Sequence, residues 1–331
     1  MLSMDLAWRA LIGIVLAVFT AGSAHAQALV KWRHGLVDAK ADAGIFFMAL
    51  EKGFFKKHGL DVEFIQLRGD LHVFRALLAR ELDSAEPSPG APLNGIDKGA
   101  DVVFFGSSME GYPYALFVRK EITSWEQLKG KIFGVSSPGS TPDLIAREML
   151  RAKGIDPSSI QIANAGGTSG RIKALVGGKI DATAAGSEYV AQQDKLGIHA
   201  LGFAKDLVPN WPRFVFVTER TTLKARRPDL VKFVAGYIEG LSYAMEHREE
   251  MIALGKKVAK ARPDDPNFAY LFDEAKAGNY VSPTAAMTPA KLRWLHDVLL
   301  KAGVLKKPID LDKHIDLTIR EDALKLLGRG G

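Results

Sequence analysis

Apolar and polar positions change period several times along this chain, and the clearest stretch runs over residues 43–67. Ile45, Phe46, Met48, Ala49 and Leu50 recur at helical spacing. Gly53 follows them as a helix stop, Phe54 and Phe55 face a core, and Gly59 ends a short Lys56-Lys57-His58 turn. Val62 and Phe64 then alternate with Asp61 and Glu63, the period of a half-buried strand. Residues 29–33 upstream are extended in character. Strand, helix and strand joined by short loops predict a parallel βαβ unit.

The alternation continues downstream. Leu71, Phe74, Ala76, Leu77 and Leu78 predict a helix over 70–82 with Asp70 at its N-cap. Residues 84–90, rich in Ser and Pro, read as a loop. A short helix over 93–98 and a buried strand over 101–106 follow. Further strands are predicted over 114–118, 131–136, 160–162, 181–185 and 199–203. Helices over 141–152, 169–175 and 189–196 fall between them, the second closed by Gly177-Gly178. Residues 214–218 form one more strand. Long helices over 228–246, 249–260 and 289–302 should pack around the first part of the chain. The alternation breaks at 107–113 and again near 204–217. Two α/β lobes joined by two connecting strands are therefore expected, one from 27–110 with 215–331 and the other from 111–214.

Residues 1–26 read as a leader. Arg9 sits in a short polar start, an apolar run follows from Ala10 to Phe19, and Ala24-His25-Ala26 is an A-x-A cleavage site. The mature chain would begin at Gln27 and work in the periplasm. No other stretch has ~18 unbroken apolar residues, the length of a membrane span.

The chain has no cysteine. A lipid anchor on cysteine, disulfides and thiolate metal sites are thereby excluded. The formal net charge of +6 is mild for the chain's length. The basic residues are scattered, with Arg226-Arg227 and Lys306-Lys307 the densest pairs, so a solvated surface is expected rather than a nucleic-acid face. A mild positive field suits anionic ligands.

Enzyme signatures are absent. The eight histidines show no HxH or HExxH spacing, so no metal is expected. The nearest approach to GxSxG is Gly166 to Gly170, with threonine at the nucleophile position. No phosphate-binding P-loop occurs. Neither catalytic residues nor a cofactor are expected.

Strand ends offer something else, because ligands of open α/β sheets sit there, beside helix N-termini. Four such places stand out. They are the loop at 37–42 with Asp38, Ala39, Lys40 and Asp42; Arg68 before Asp70; Ser136, Ser137, Gly139, Ser140 and Thr141; and Gly166 to Ser169 with Thr168. Free backbone N–H groups and the helix dipole favour an anion at each. Taken singly, simple helix capping is the better explanation of Asp42, Asp70, Ser140 and Thr141; it is the pattern of two lobes with such loops facing each other that favours binding. Ser187 and Glu188 close another strand end. Trp211 and Arg213 lie near the return crossing, where Trp211 either stacks on a planar ligand or fills the hinge.

The run EKGFFKKHGLDVEF in the opening stretch resembles the signature of solute-binding proteins of nitrate, taurine and aliphatic-sulfonate ABC transporters. That superfamily includes the NMT1/THI5-like group, and the resemblance spans essentially the whole mature chain. It implies a periplasmic-binding-protein type II fold and a small-molecule solute held between two lobes. It also implies delivery by a monomer to an ABC permease and its ATPase. The family pattern carries ligand contacts onto residues 38–42, onto Ser84 with Ser88, and onto residues 136–141, where Ser140 or Thr141 should meet the ligand's acid group. A Gly-x-Asp usually follows the helix before Ser84. Here Glu81-Leu82-Asp83 stands instead, without the glycine. Two rivals share the resemblance: a periplasmic ligand-sensing domain, and a THI5-like pyrimidine-synthesis enzyme. The second carries a cysteine-rich motif that this chain lacks.

Overall fold

The structure, a computed structural model, describes residues 28–329. The predicted leader lies outside the described residues. Strands in chain order are β1 Val30–Val37, β2 Leu60–Leu67, β3 Ser84–Glu86, β4 Val102–Gly106, β5 Tyr114–Arg119, β6 Ile132–Val135, β7 Gln161–Asn164, β8 Ala182–Gly186, β9 Ile198–Phe203 and β10 Phe216–Glu219. They form two five-stranded sheets, β2-β1-β3-β10-β4 and β7-β6-β8-β5-β9. Each sheet is the centre of one α/β lobe. In the first, β10 runs antiparallel to β3 and β4; in the second, β5 runs antiparallel to β8 and β9. These reversed strands are where the chain enters one lobe and returns to the other.

The opening βαβ unit forms as its periodicity dictates. β1 and β2 pair in parallel over their full lengths, with the helix Ala43–Glu51 between them. Its apolar stripe packs on the helix Arg248–Val258 so closely that a Cβ at Gly44 would collide with the Met251 carbonyl. Phe55 is buried and stacks on Phe233 at 5.3 Å. Phe233 also meets Trp32 and His34 of β1 at 5.8 and 4.7 Å and Tyr237 at 5.5 Å. This aromatic cluster joins the first sheet to the helix Arg220–Glu246.

Several expectations need correction. The 84–90 segment is not all loop: Ser84–Glu86 is β3, parallel to β1. Its two polar side chains, Ser84 and Glu86, are buried, held by Trp32, His34, Ser108 and Tyr237. The helix before it ends without the missing glycine, because Arg80 itself takes φ 59°. Gly69, not Asp70, occupies that helix's N-cap. The predicted helix over 189–196 is a 3-10 turn, Ser187–Gln192, followed by a short α-helix, Gln193–Leu196. The helix expected from Pro228 begins earlier, at Arg220, and kinks at Arg226. Pro228 lacks an N–H and crowds the preceding turn, which breaks the ladder there. The helices Ala204–Leu207, Asn267–Ala277 and Thr318–Leu326 were not anticipated.

The two crossings lie side by side. Arg213 and Phe214 N–H groups donate to the Met109 carbonyl at 3.2 and 3.1 Å, and Ser107 Oγ donates to the Phe214 carbonyl at 2.6 Å. This hydrogen-bonded pair of segments forms the floor between the lobes.

Candidate functional site

A cleft between the lobes encloses about 310 Å³ of non-atom space, part of it open to solvent. Lys40, Ala41 and Asp42 reach it from the loop after β1, and Leu271 from the helix Asn267–Ala277. Pro113, Tyr114, Thr168, Gly186 and Glu188 line the other side, and Arg213 rises from the return crossing.

Arg213 is the centre of the arrangement. It is 7 % exposed, a burial that an arginine tolerates only with partners. Nη2 donates to Asp42 Oδ2 at 3.3 Å and Nη1 to the Tyr112 hydroxyl at 3.3 Å. The guanidinium lies over the Phe214 ring at 4.2 Å, a cation–π contact. Its Nε is buried without a hydrogen-bond partner among the described residues. A buried N–H on a permanent cation is costly unless something else accepts its bond.

Asp42 sits at the N-cap of its helix but makes no capping bond. Its carboxylate turns to Arg213 instead, so the capping reading does not hold there. Glu188 folds back over Gly186, where a Cβ would strike its carboxylate. By surface area Glu188 is half-buried, but its carboxyl group is packed densely enough that desolvation pushes it up from 4.5 to about 7. Asp42 adds to this rise, while a backbone hydrogen bond, Lys40 and Arg213 oppose it.

That shift has a definite sign. Between its unfolded and folded values the folded protein keeps a proton that the unfolded chain has released. This group's contribution therefore turns against the folded state as pH rises through the window from 4.5 to about 7, and levels off above it. Glu188→Gln should melt above the wild type at about pH 8 and close to it at about pH 5. Melting curves that stay parallel across this range would place Glu188 in ordinary solvent.

The predicted residues fall into three groups. Lys40, Asp42, Thr168 and Glu188 meet in the cleft. Asp38 and Ala39 line a smaller adjoining cavity that shares Asp42 and is also lined by Leu36, Phe46, Phe47, Phe214 and the buried Glu86. The rest lie elsewhere. Ser84 is fully buried, accepting from Trp32 Nε1 at 2.9 Å and meeting His34 Nδ1 at 2.7 Å. The Ser88 N–H donates to Asp70 Oδ1 at 2.7 Å, and Arg68 is exposed. Trp211 is 3 % exposed, edge-on to Tyr112 and Trp294, and fills the hinge rather than facing the cleft.

The loop at 136–141 is occupied with itself. Ser140 Oγ donates to the Ser137 carbonyl at 2.6 Å and the Gly139 N–H to Asp143 Oδ2 at 2.8 Å. Ser136 is bound to Arg171, and neither Ser140 nor Thr141 lines the cleft. Ser187 donates its hydroxyl to Glu274, and Gln192 Nε2 donates to Asn267 Oδ1 at 2.8 Å. These two bonds join the second lobe to the helix Asn267–Ala277 and close one side of the cleft.

Sequence reasoning gave Arg213 no role. The available signal was a lone charge between Pro212 and the apolar run Phe214-Val215-Phe216-Val217.

Two α/β lobes, paired crossings and a charged cleft between them define a periplasmic-binding-protein fold. The periplasmic aliphatic sulphonate binding protein SsuA of Escherichia coli superposes with TM-score 0.72 at 19% identity, over 86% of this chain and 92% of that one. The nitrate-binding NrtA of Synechocystis PCC 6803 gives TM-score 0.72 at 15% identity, over 90% and 89%. More narrowly, the chain belongs to the NMT1/THI5 like family, whose model matches residues 40–251. YtlA of Bacillus subtilis, named only as a binding protein, is 23% identical over 287 residues, 83% of this chain and 84% of its own.

Proposed function

We propose that this protein is the periplasmic solute-binding component of an ABC importer. It captures a small organic anion between its lobes and hands it to a membrane permease and its ATPase. It performs no chemistry, needs no cofactor and works as a monomer after loss of residues 1–26. The observation that carries the anion is Arg213, a buried cation of the cleft lining whose Nε has no hydrogen-bond partner among the described residues. The adjoining cavity with its three phenylalanines suits an apolar body attached to the acid group. Support also comes from the family and from structural neighbours that are a sulphonate-binding protein, a nitrate-binding protein and a ligand-binding component of an ABC-type import system. Lobe closure around the solute is the motion this fold supplies.

A thermal-shift panel of alkanesulfonates, carboxylates and nitrate tests the reading. A ligand at 100 times its Kd stabilises by about 2.7 kcal/mol, a clear shift in melting. One acid class should shift the protein while its neutral amide or alcohol analogues do not. No shift with any acid, or equal shifts with the neutral analogues, would refute it.

A further inference from the structure

The second lobe holds another positive charge just behind the cleft. Arg171, in the helix Thr168–Val176, is 1 % exposed. All five of its hydrogen bonds go to neutral oxygens. Nε donates to Thr183 Oγ1 at 3.1 Å, Nη1 to Ser136 Oγ at 2.7 Å and the Gly166 carbonyl at 3.0 Å. Nη2 donates to Thr168 Oγ1 and the Ala184 carbonyl, both at 3.3 Å. An arginine buried this deeply ordinarily faces a carboxylate. Here the N–H groups are satisfied and the charge is not.

The bond to Thr168 has a consequence. Because Thr168 Oγ1 accepts from Arg171, its own proton points elsewhere, and Thr168 lines the cleft with Arg213. Thr168 is also the first residue of a nine-residue helix, whose opening N–H groups have no intrahelical acceptor. Arg213 lines the same space, and its buried Nε, without a hydrogen-bond partner among the described residues, is an independent sign of a missing acceptor.

We propose that the ligand's acid group is gripped from two sides, by Arg213 of the crossing and by Thr168 of the second lobe. Arg171 is the positioning residue: it turns the Thr168 hydroxyl toward the cleft, and the bound acid balances its charge. The ligand class follows. It is an oxyanion with at least two acceptor oxygens, a carboxylate, sulfonate or phosphonate, with one oxygen for each grip. A group held by both sides also ties acid recognition to lobe closure. This inference rests on the solute-binding reading and sharpens it.

The test uses the full chain and two probes, ethanesulfonate and benzoate, in isothermal titration. Thr168→Val keeps the side chain's shape without the hydroxyl, Thr168→Ser keeps the donor, and Arg171→Met removes the charge. With whichever probe the wild type binds, Thr168→Val and Arg171→Met should each lose about tenfold or more in affinity, and Thr168→Ser should match the wild type. Arg171→Met that melts earlier but binds equally well would make Arg171 a purely structural residue and overturn the proposal. If that variant fails to fold, the threonine pair decides alone: equal affinity in Thr168→Val overturns the double grip. Loss of binding in Arg213→Lys beside unchanged binding in Thr168→Val would leave the solute-binding reading standing without this inference. A wild type that binds neither probe, nor any alkanesulfonate, carboxylate or nitrate of the thermal-shift panel, would overturn both.

Discussion

Arg213→Lys should weaken capture of the acid by about ten- to a hundredfold while the protein stays folded. Lysine keeps the charge that answers Asp42 but loses the planar fork and its Nε donor. One hydrogen bond to a charged group contributes roughly 1.5–3 kcal/mol, so losing the Nε bond corresponds to about one to two orders of magnitude in affinity. Arg213→Met is the harsher change. It leaves Asp42, 7 % exposed, without its cation. Breaking a buried pair that way costs about 3–5 kcal/mol, so lost binding could not be told from lost fold. Titration with the acid found in the thermal-shift panel, beside melting curves, checks the lysine variant. Affinity within error of the wild type would remove Arg213 from recognition.

Phe233→Ala should produce the largest stability loss, about 3–5 kcal/mol, the usual range for truncating a buried aromatic. Phe233 is fully buried and touches rings from β1, from the helix after Gly53 and from its own helix. Its removal would leave a void where the first sheet meets the helix Arg220–Glu246, a place held by backbone on both sides and slow to collapse. Trp32 stacks on Phe233, so the fluorescence of a variant that keeps Trp32 as its only tryptophan reports on this lobe during urea unfolding. The second lobe has its own sheet, but one face of that sheet shares a buried cluster with the first lobe, so the prediction concerns the transition that carries Trp32. Displacement of that transition by less than about 1 kcal/mol would mean that the aromatic cluster is not what anchors the first lobe.

Much of the frame was readable because apolar spacing in residues 43–67 and along most strands follows burial closely. β3 escaped because its burial is polar: Ser84 and Glu86 are 0 % and 1 % exposed, yet hydropathy marks them as surface. The helix Asn267–Ala277 did carry a signal, Phe268, Leu271, Phe272 and Ala275 at helical spacing, obscured by the charged turn before it. The helix Thr318–Leu326 buries only Ile319 and Ala323, too little to stand out. At the site, strand-end reasoning reached Lys40, Asp42, Thr168 and Glu188. It could not reach the pairing of Asp42 with Arg213, which are 171 positions apart and meet only once both crossings are laid together. The hydroxyl-rich loop at 136–141 lies outside the cleft lining, and its Ser136, Gly139 and Ser140 are engaged within the lobe. Donors counted in a sequence can satisfy one another, as Ser137 and Ser140 do.

The most direct test of the account is a crystal structure of the protein grown with the acid that stabilises it. The account predicts one acid oxygen about 3 Å from Arg213 Nε and another at hydrogen-bonding distance from the Thr168 hydroxyl, with both lobes in contact with the ligand. An acid group seated in the 136–141 loop, or a ligand touching one lobe alone, would contradict it.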